Sequence, residues 1–164
     1  MLVGCGSLPK LRDLVIFRDG NGDEGVVSLA DGLRRGRLPS LQRLTLYRAQ
    51  IGPQGATALA SALTKRALPS LEWLVLSRNQ LGDAGLAALA PALRQLPKLR
   101  QLDLGDNQIT DEGCAALASA LCSGALLALK ELGLDGNSAS EEAQEAVLEA
   151  RAGLLNASDV QSLG

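Results

Sequence analysis

Histidine is absent from this 164-residue sequence, and aromatic residues nearly so, with one Phe, one Tyr and one Trp. The first absence removes the commonest zinc ligand, general base and triad partner together. The second means that the core cannot rest on a few large rings and must be assembled from many equivalent small sites; leucine alone fills 35 positions. Cysteine is scarce and odd in number, and Cys5, Cys114 and Cys122 lack the spacing of a metal site, so free thiols in a cytoplasmic setting are expected. Charge of one sign is lacking too: 16 basic and 18 acidic residues leave a net charge of −2, which argues against nucleic acid or an anionic membrane as partner. No apolar run approaches the length of a bilayer span, and the opening MLVGCGS is too short and too weakly apolar for a secretory signal.

What is present is a repeat. The pattern L-x-x-L-x-[LI] starts at Leu11, Leu41, Leu71, Leu99 and Leu129, so successive starts lie 30, 30, 28 and 30 residues apart. Three residues past each pattern stand Asp19, Ala49, Asn79, Asn107 and Asn137, and six further on Gly25, Gly55, Gly85, Gly113 and Ala143. An alanine-rich segment follows, with leucines four apart (Leu29/Leu33, Leu59/Leu63, Leu89/Leu93, Leu117/Leu121), and a Leu-Pro pair precedes each of the first four patterns. Alternating leucines put one face of a short strand into the core, and the i, i+4 spacing marks a helix. The asparagine column is suited to satisfying backbone groups where the chain leaves the strand. Helices are expected near 23–35, 53–66, 83–95, 111–123 and 140–152, with Pro91 ending or kinking the third. Ser138 and Glu141 have capping-box spacing ahead of the last helix, whose polar sequence suits an end cap.

Strand after strand with a helical crossover implies a parallel sheet. Strands sit about 4.8 Å apart and packed helices roughly 8–10 Å, so the stack bends, with strands lining the concave wall. The expected fold is α/β, a right-handed solenoid in one domain over 8–155, with repeats at about 8–37, 38–67, 68–95, 96–125 and 126–155 and short termini at 1–7 and 156–164. Segments such as LPSLQRLTLYRAQIGPQGATALASAL and LPKLRQLDLGDNQITDEGCAALASAL resemble leucine-rich repeats of the ribonuclease-inhibitor-like type, found also in NOD-like receptors and Ran GTPase-activating protein. The resemblance covers roughly 8–152 and implies the horseshoe fold and a role in binding proteins. It also raises an alternative, regulation of a small GTPase, because the Ran activator works without supplying an arginine finger. The sequence offers little cover ahead of the first repeat and is expected to be a piece of a longer array, acting as a monomer or within that array.

Candidate chemistry is sparse. Asp19-Gly20-Asn21-Gly22-Asp23 resembles the start of an EF-hand loop, but Glu24 stands where the loop needs glycine and Ala30 where it needs a carboxylate, so no metal is expected. Asp111-Glu112 and Glu141-Glu142 fit the favourable field of a helix N-terminus. No catalytic residue, cofactor or enzyme activity is expected. The concave wall is more informative. Its outward columns hold Asp13, Arg43, Trp73, Gln101 and Glu131, then Val15, Thr45, Val75, Asp103 and Gly133, then Phe17, Tyr47, Ser77, Gly105 and Asp135, and last Arg18, Arg48, Arg78, Asp106 and Gly136. All three aromatics, Phe17, Tyr47 and Trp73, fall on this wall in the first three repeats beside Arg18, Arg43, Arg48 and Arg78. Asp103, Asp106, Glu131 and Asp135 occupy the last two. Aromatic and arginine side chains dominate interface hot spots, so these eleven residues are the candidate partner-binding site, and the partner is another protein. Five strands showing about five residues each offer only about 400 Å², half of the roughly 800 Å² per partner of a standard interface, so the patch alone gives a weak or partial contact unless loops join in or more repeats belong to the natural protein.

Overall fold

The structure, a computed structural model, describes residues 8–17, 20–64 and 67–161. Strand and helix alternate through five cycles: β1 (Asp13–Phe17), α1 (Gly22–Arg34), β2 (Arg43–Tyr47), α2 (Pro53–Leu63), β3 (Trp73–Val75), α3 (Gly82–Leu93), β4 (Gln101–Asp103), α4 (Asp111–Cys122), β5 (Glu131–Gly133) and α5 (Glu141–Gln161). The strands form one parallel sheet in sequence order, β1-β2-β3-β4-β5. Register follows the repeat, so that Asp13, Arg43, Trp73, Gln101 and Glu131 stand side by side. This is a leucine-rich-repeat solenoid.

The core is a stack of leucine layers between sheet and helices. In the second repeat Leu41, Leu44, Leu46, Ile51, Leu59 and Leu63 are fully buried. Their counterparts Leu14 and Ile16 are only partly buried, because among the described elements β1 has a neighbouring strand on one side alone.

Two polar ladders stitch the repeats together. Asn79 is buried, and its Nδ2 donates to the carbonyls of Leu46 in the preceding repeat (2.7 Å) and Leu76 in its own (2.8 Å), while its Oδ1 accepts from the N–H groups of Ala49 and Ile51. Asn107 does the same one repeat on, donating to Leu76, Leu104 and Gly105, and Asn137 again, donating to Leu104 and Leu134. Each asparagine thus serves backbone groups that neither strand nor helix can satisfy. At the corresponding position of the second repeat a buried Ala49 provides no such rung.

The second ladder consists of carboxylates. Asp23 accepts from the Gly52 N–H at 2.7 Å, at the start of α2. Asp83 accepts from the N–H (2.8 Å) and hydroxyl (2.6 Å) of Thr110 and from the Gly113 N–H (3.0 Å) at the start of α4. Asp111 accepts from the N–H and hydroxyl of Ser140 ahead of α5. Each therefore caps the helix of the next repeat, not its own as the position of Asp111 suggests in sequence. Two members of the glycine column make room for this contact: a methyl group at Gly55 would stand 2.5 Å from Asp23 Oδ1, and one at Gly113 would collide with Asp83. Pro53 takes the acidic position in the second repeat, and α3 has no side-chain cap.

Three expectations need correction. The cap of the last helix is Ser140, whose hydroxyl accepts from the Ala143 N–H at 3.2 Å, not Ser138. That helix runs on to Gln161, well past 152. Of the two outcomes expected at Pro91, an end or a kink, the first does not occur: α3 continues to Leu93. Proline removes only the hydrogen bond to the Ala87 carbonyl, and since Pro91 and Ala87 are both exposed, water can satisfy that group.

Replacing Asn107 by Ala removes one donor from each of three buried carbonyls, which keep a second from Asn79, Asn137 or the Arg78 N–H, and takes the acceptor from the Leu81 N–H. We expect Asn107→Ala to cost about 1–3 kcal/mol, which thermal unfolding would show as a fall in Tm of roughly 5 °C. Asp83 supplies a pH signature. Partial burial pulls its pKa up, but the hydrogen bonds from the Thr110 hydroxyl, the Thr110 N–H and the Gly113 N–H outweigh this and hold it below the ordinary carboxylate value. Its stabilisation is therefore full above the unfolded value of about 3.9 and is lost as pH falls through the lower folded value. Asp83→Ala should melt below the wild type at neutral pH, by about 1 kcal/mol as for other lost caps, and the gap should close in titrations below about pH 4.

Candidate functional site

The strand face carries two chains of contact that cross from repeat to repeat. In the first, Arg43 Nη1 bonds Asp13 Oδ1 at 3.0 Å, and the same guanidinium lies over the Trp73 ring, 4.8 Å from its centroid. In the second, the Phe17 and Tyr47 rings stack in parallel, with centroids 5.2 Å apart and an interplanar angle of 5°. Arg78 covers the Tyr47 ring at 5.6 Å, and its Nε bonds Asp106 Oδ2 at 3.2 Å. Parallel in-register pairing makes both chains possible, because it puts side chains one repeat apart within contact distance on one face.

The structure so places Phe17, Arg43, Tyr47, Trp73, Arg78, Asp106, Glu131 and Asp135 at this face, and brings the first six into the two chains. Phe17 is 57% exposed and Val15 beside it 62%, an amount of apolar surface that a core role does not explain. Glu131 and Asp135 are exposed and make no ion pair among the described residues. Arg18 lies outside the described residues. The arginine and acidic ends are less segregated than the sequence suggests, because Arg43 and Arg78 each already carry a carboxylate.

Two groups behave differently from expectation. Asp103 is partly buried and occupied, accepting from the Ser77 hydroxyl at 2.8 Å and the Gly105 N–H at 3.0 Å, and a methyl group at Gly133 would stand 2.9 Å from its Oδ1. It shapes the face and has little to offer a partner. Arg48, Arg78 and Asp106 are not strand residues. They sit at the turn where the chain leaves the sheet, with φ of 53°, 58° and 52°, and Gly136 makes the same turn at 73°. Of the eleven candidates, these lie at the loop edge of the face, next to a glutamine column, Gln50, Gln80 and Gln108, which the sequence reading passed over; its signal was there, as glutamine at one register position in three consecutive repeats.

Elsewhere the chemistry is quiet. Burial, with the nearby Asp111 and Asp83 carboxylates, pushes the Cys114 thiol up and keeps it protonated. No group of three or more metal-ligating side chains occurs among the described residues, where Asp23 is engaged with Gly52. Among them no helix is long and apolar enough to cross a membrane.

Comparison with known proteins agrees with this architecture. The family described as Leucine Rich repeats (2 copies) matches residues 69–119. Among solved structures, the tropomodulin C-terminal domain of Caenorhabditis elegans is similar over 96% of this chain and 92% of its own, with a TM-score of 0.73 and 18% identity. Leiomodin-1 Actin-Binding Site 2 is similar over 95% of this chain and 87% of its own, with a TM-score of 0.76 and 18% identity. No curated protein sequence matches significantly. The chain thus has a leucine-rich-repeat fold, and at this identity the two solved structures speak to its fold alone.

Trp73 is the only tryptophan, so its emission reports on the face directly. Arg43→Ala should shift Trp73 fluorescence while changing stability by no more than about 1 kcal/mol, the usual size of an exposed cation–π contact. An unchanged spectrum would show that the stacked arrangement is not held in solution.

Proposed function

We infer that this chain is a protein-interaction module that docks a partner protein against its strand face and has no catalytic chemistry of its own. The observation that carries the reading is the pair of contact chains, in which all three aromatics of the protein are gathered on one face, Tyr47 and Trp73 under arginine side chains and Phe17 stacked on Tyr47, while leucine fills the core. Rings held in place by stacking lose little freedom on binding, which makes them efficient anchors. Phe17, Arg18, Arg43, Tyr47, Arg48, Trp73, Arg78, Asp106, Glu131 and Asp135 form the proposed contact set, with Asp103 positioning its neighbours. The period of 28 to 30 residues, with an α-helix in every repeat, supports assignment to the ribonuclease-inhibitor-like type. Its free thiols suit a cytoplasmic setting. Regulation of a small GTPase draws no support from either structural neighbour.

The description of the leiomodin-1 domain names actin binding, so actin is the first probe to try, followed by a displayed random-peptide library. Ligands of the wild type should lose at least about tenfold affinity with Trp73→Ala, the scale of a hot-spot residue, at unchanged Tm. Binding that survives both Tyr47→Ala and Trp73→Ala undiminished would sink the reading.

A further inference from the structure

Where the strands end, an open groove of about 720 Å³ runs along the loop edge of the face. Its walls include Arg48, Gln50, Arg78, Gln80, Asp106 and Gln108. Five of these six have left-handed backbones, with φ of 53°, 56°, 58°, 52° and 60° for Arg48, Gln50, Arg78, Asp106 and Gln108. Among the described residues only one other non-glycine, Leu126, does so. A left-handed conformation strains an L residue, whose Cβ crowds the following carbonyl, and costs glycine almost nothing.

Glycine makes the same turns elsewhere in this stack. Gly136 stands at the register position of Arg48, Arg78 and Asp106, and Gly20 at that of Gln50 and Gln108, with φ of 73° and 70°. Long polar side chains are therefore carried at positions where glycine would be cheaper. Arg78 and Asp106 recover part of that cost by pairing with each other. The side chains of Arg48, Gln50 and Gln108 recover none, making no hydrogen bond or ion pair among the described residues. The backbone N–H groups of Arg48, Arg78 and Asp106 bond the carbonyls of the next repeat, as glycine's would, so what goes unrewarded inside the fold is the choice of long side chains over glycine, and strain retained in this way marks a candidate binding site.

We propose that this groove binds an extended, acidic peptide segment of a partner protein. The proposal rests on the interaction-module reading, shares Arg48, Arg78 and Asp106 with its contact set and adds the glutamine column. Two guanidinium groups face one carboxylate in the groove, and since Asp106 holds Arg78, the fork of Arg48 is open to a carboxylate of the ligand, which it can grip through two parallel hydrogen bonds. Each glutamine amide has two donors and an acceptor, the complement of a peptide main chain. Gln50 to Gln108 spans two repeats, about 9.6 Å at ~4.8 Å each, which matches three extended residues at ~3.3 Å. The segment would run along the stack, across the ends of the strands.

The test selects a displayed random-peptide library against the full chain and compares it with the triple variant Arg48→Gly, Gln50→Gly, Gln108→Gly and with Trp73→Ala. The proposal expects selected peptides rich in Asp and Glu, an affinity that weakens with added salt, and at least about a tenfold loss in the triple variant. That variant should melt no lower than the wild type, because glycine relieves the left-handed backbone. No selected peptide, no acidic preference, or full affinity in the triple variant would overturn it, as would a triple variant that melts well below the wild type. Peptides lost in Trp73→Ala but kept in the triple variant overturn the groove and leave the strand-face reading standing. Peptides lost in the triple variant but kept in both Trp73→Ala and Tyr47→Ala do the reverse.

Discussion

A buried or half-buried asparagine amide joins each of the last three repeats to the one before it, and the rest of the structure is organised around that junction. Stacking strand on strand every ~4.8 Å forces the chain to turn out of the sheet once per repeat, and each turn leaves carbonyl and N–H groups inside the molecule with no strand or helix to receive them. Asn79, Asn107 and Asn137 take up these groups from two repeats at once. Because the amide reaches both ways, it fixes not only the turn but the register between neighbouring strands. The register aligns the leucine layers below the sheet and the side chains above it.

The carboxylate ladder does for the helices what the asparagines do for the turns. Asp23, Asp83 and Asp111 each reach across to the next helix N-terminus, where N–H groups lack intrahelical acceptors. The two ladders are not evenly distributed. The junction between the first and second repeats lacks its asparagine, where Ala49 stands, and that between the second and third lacks its carboxylate, where Pro53 stands. The later junctions have both. The aromatic side chains span the less firmly stitched part of the stack, so the surface proposed to meet a partner also lies where local adjustment is least expensive.

Much of this was legible in the sequence. Phased leucines at a period of 28 to 30 identify strand, helix and stacking, and with them the columns of the strand face, because periodicity and parallel pairing leave no freedom in which residues share a column. The aromatic cluster could be found in the same way. Helix limits were less exact: α5 extends to Gln161 and Pro91 is tolerated, since both depend on what covers or leaves open a particular turn. The roles of Asp103 and Asp111 were not readable. An isolated carboxylate in a sequence looks the same whether it faces solvent, caps its own helix or reaches into the neighbouring repeat.

The sequence by itself therefore determined the repeat, the parallel order and the face on which each residue stands, because these follow from spacing and from the steric identity of strand and helix. Only the tertiary structure decided which charges are already engaged and which are left for a partner. Arg43 and Arg78 meet Asp13 and Asp106 across 30 and 28 residues, whereas Arg48 meets no carboxylate among the described residues. It alone showed that glycines at Gly55 and Gly113 make room for a neighbour's carboxylate, and that the turn residues beside the face adopt left-handed backbones. The physical reason is common to all of these. They are contacts between repeats, set by distances across the stack, and a one-dimensional pattern carries the order of the repeats but not the positions of the atoms that meet between them.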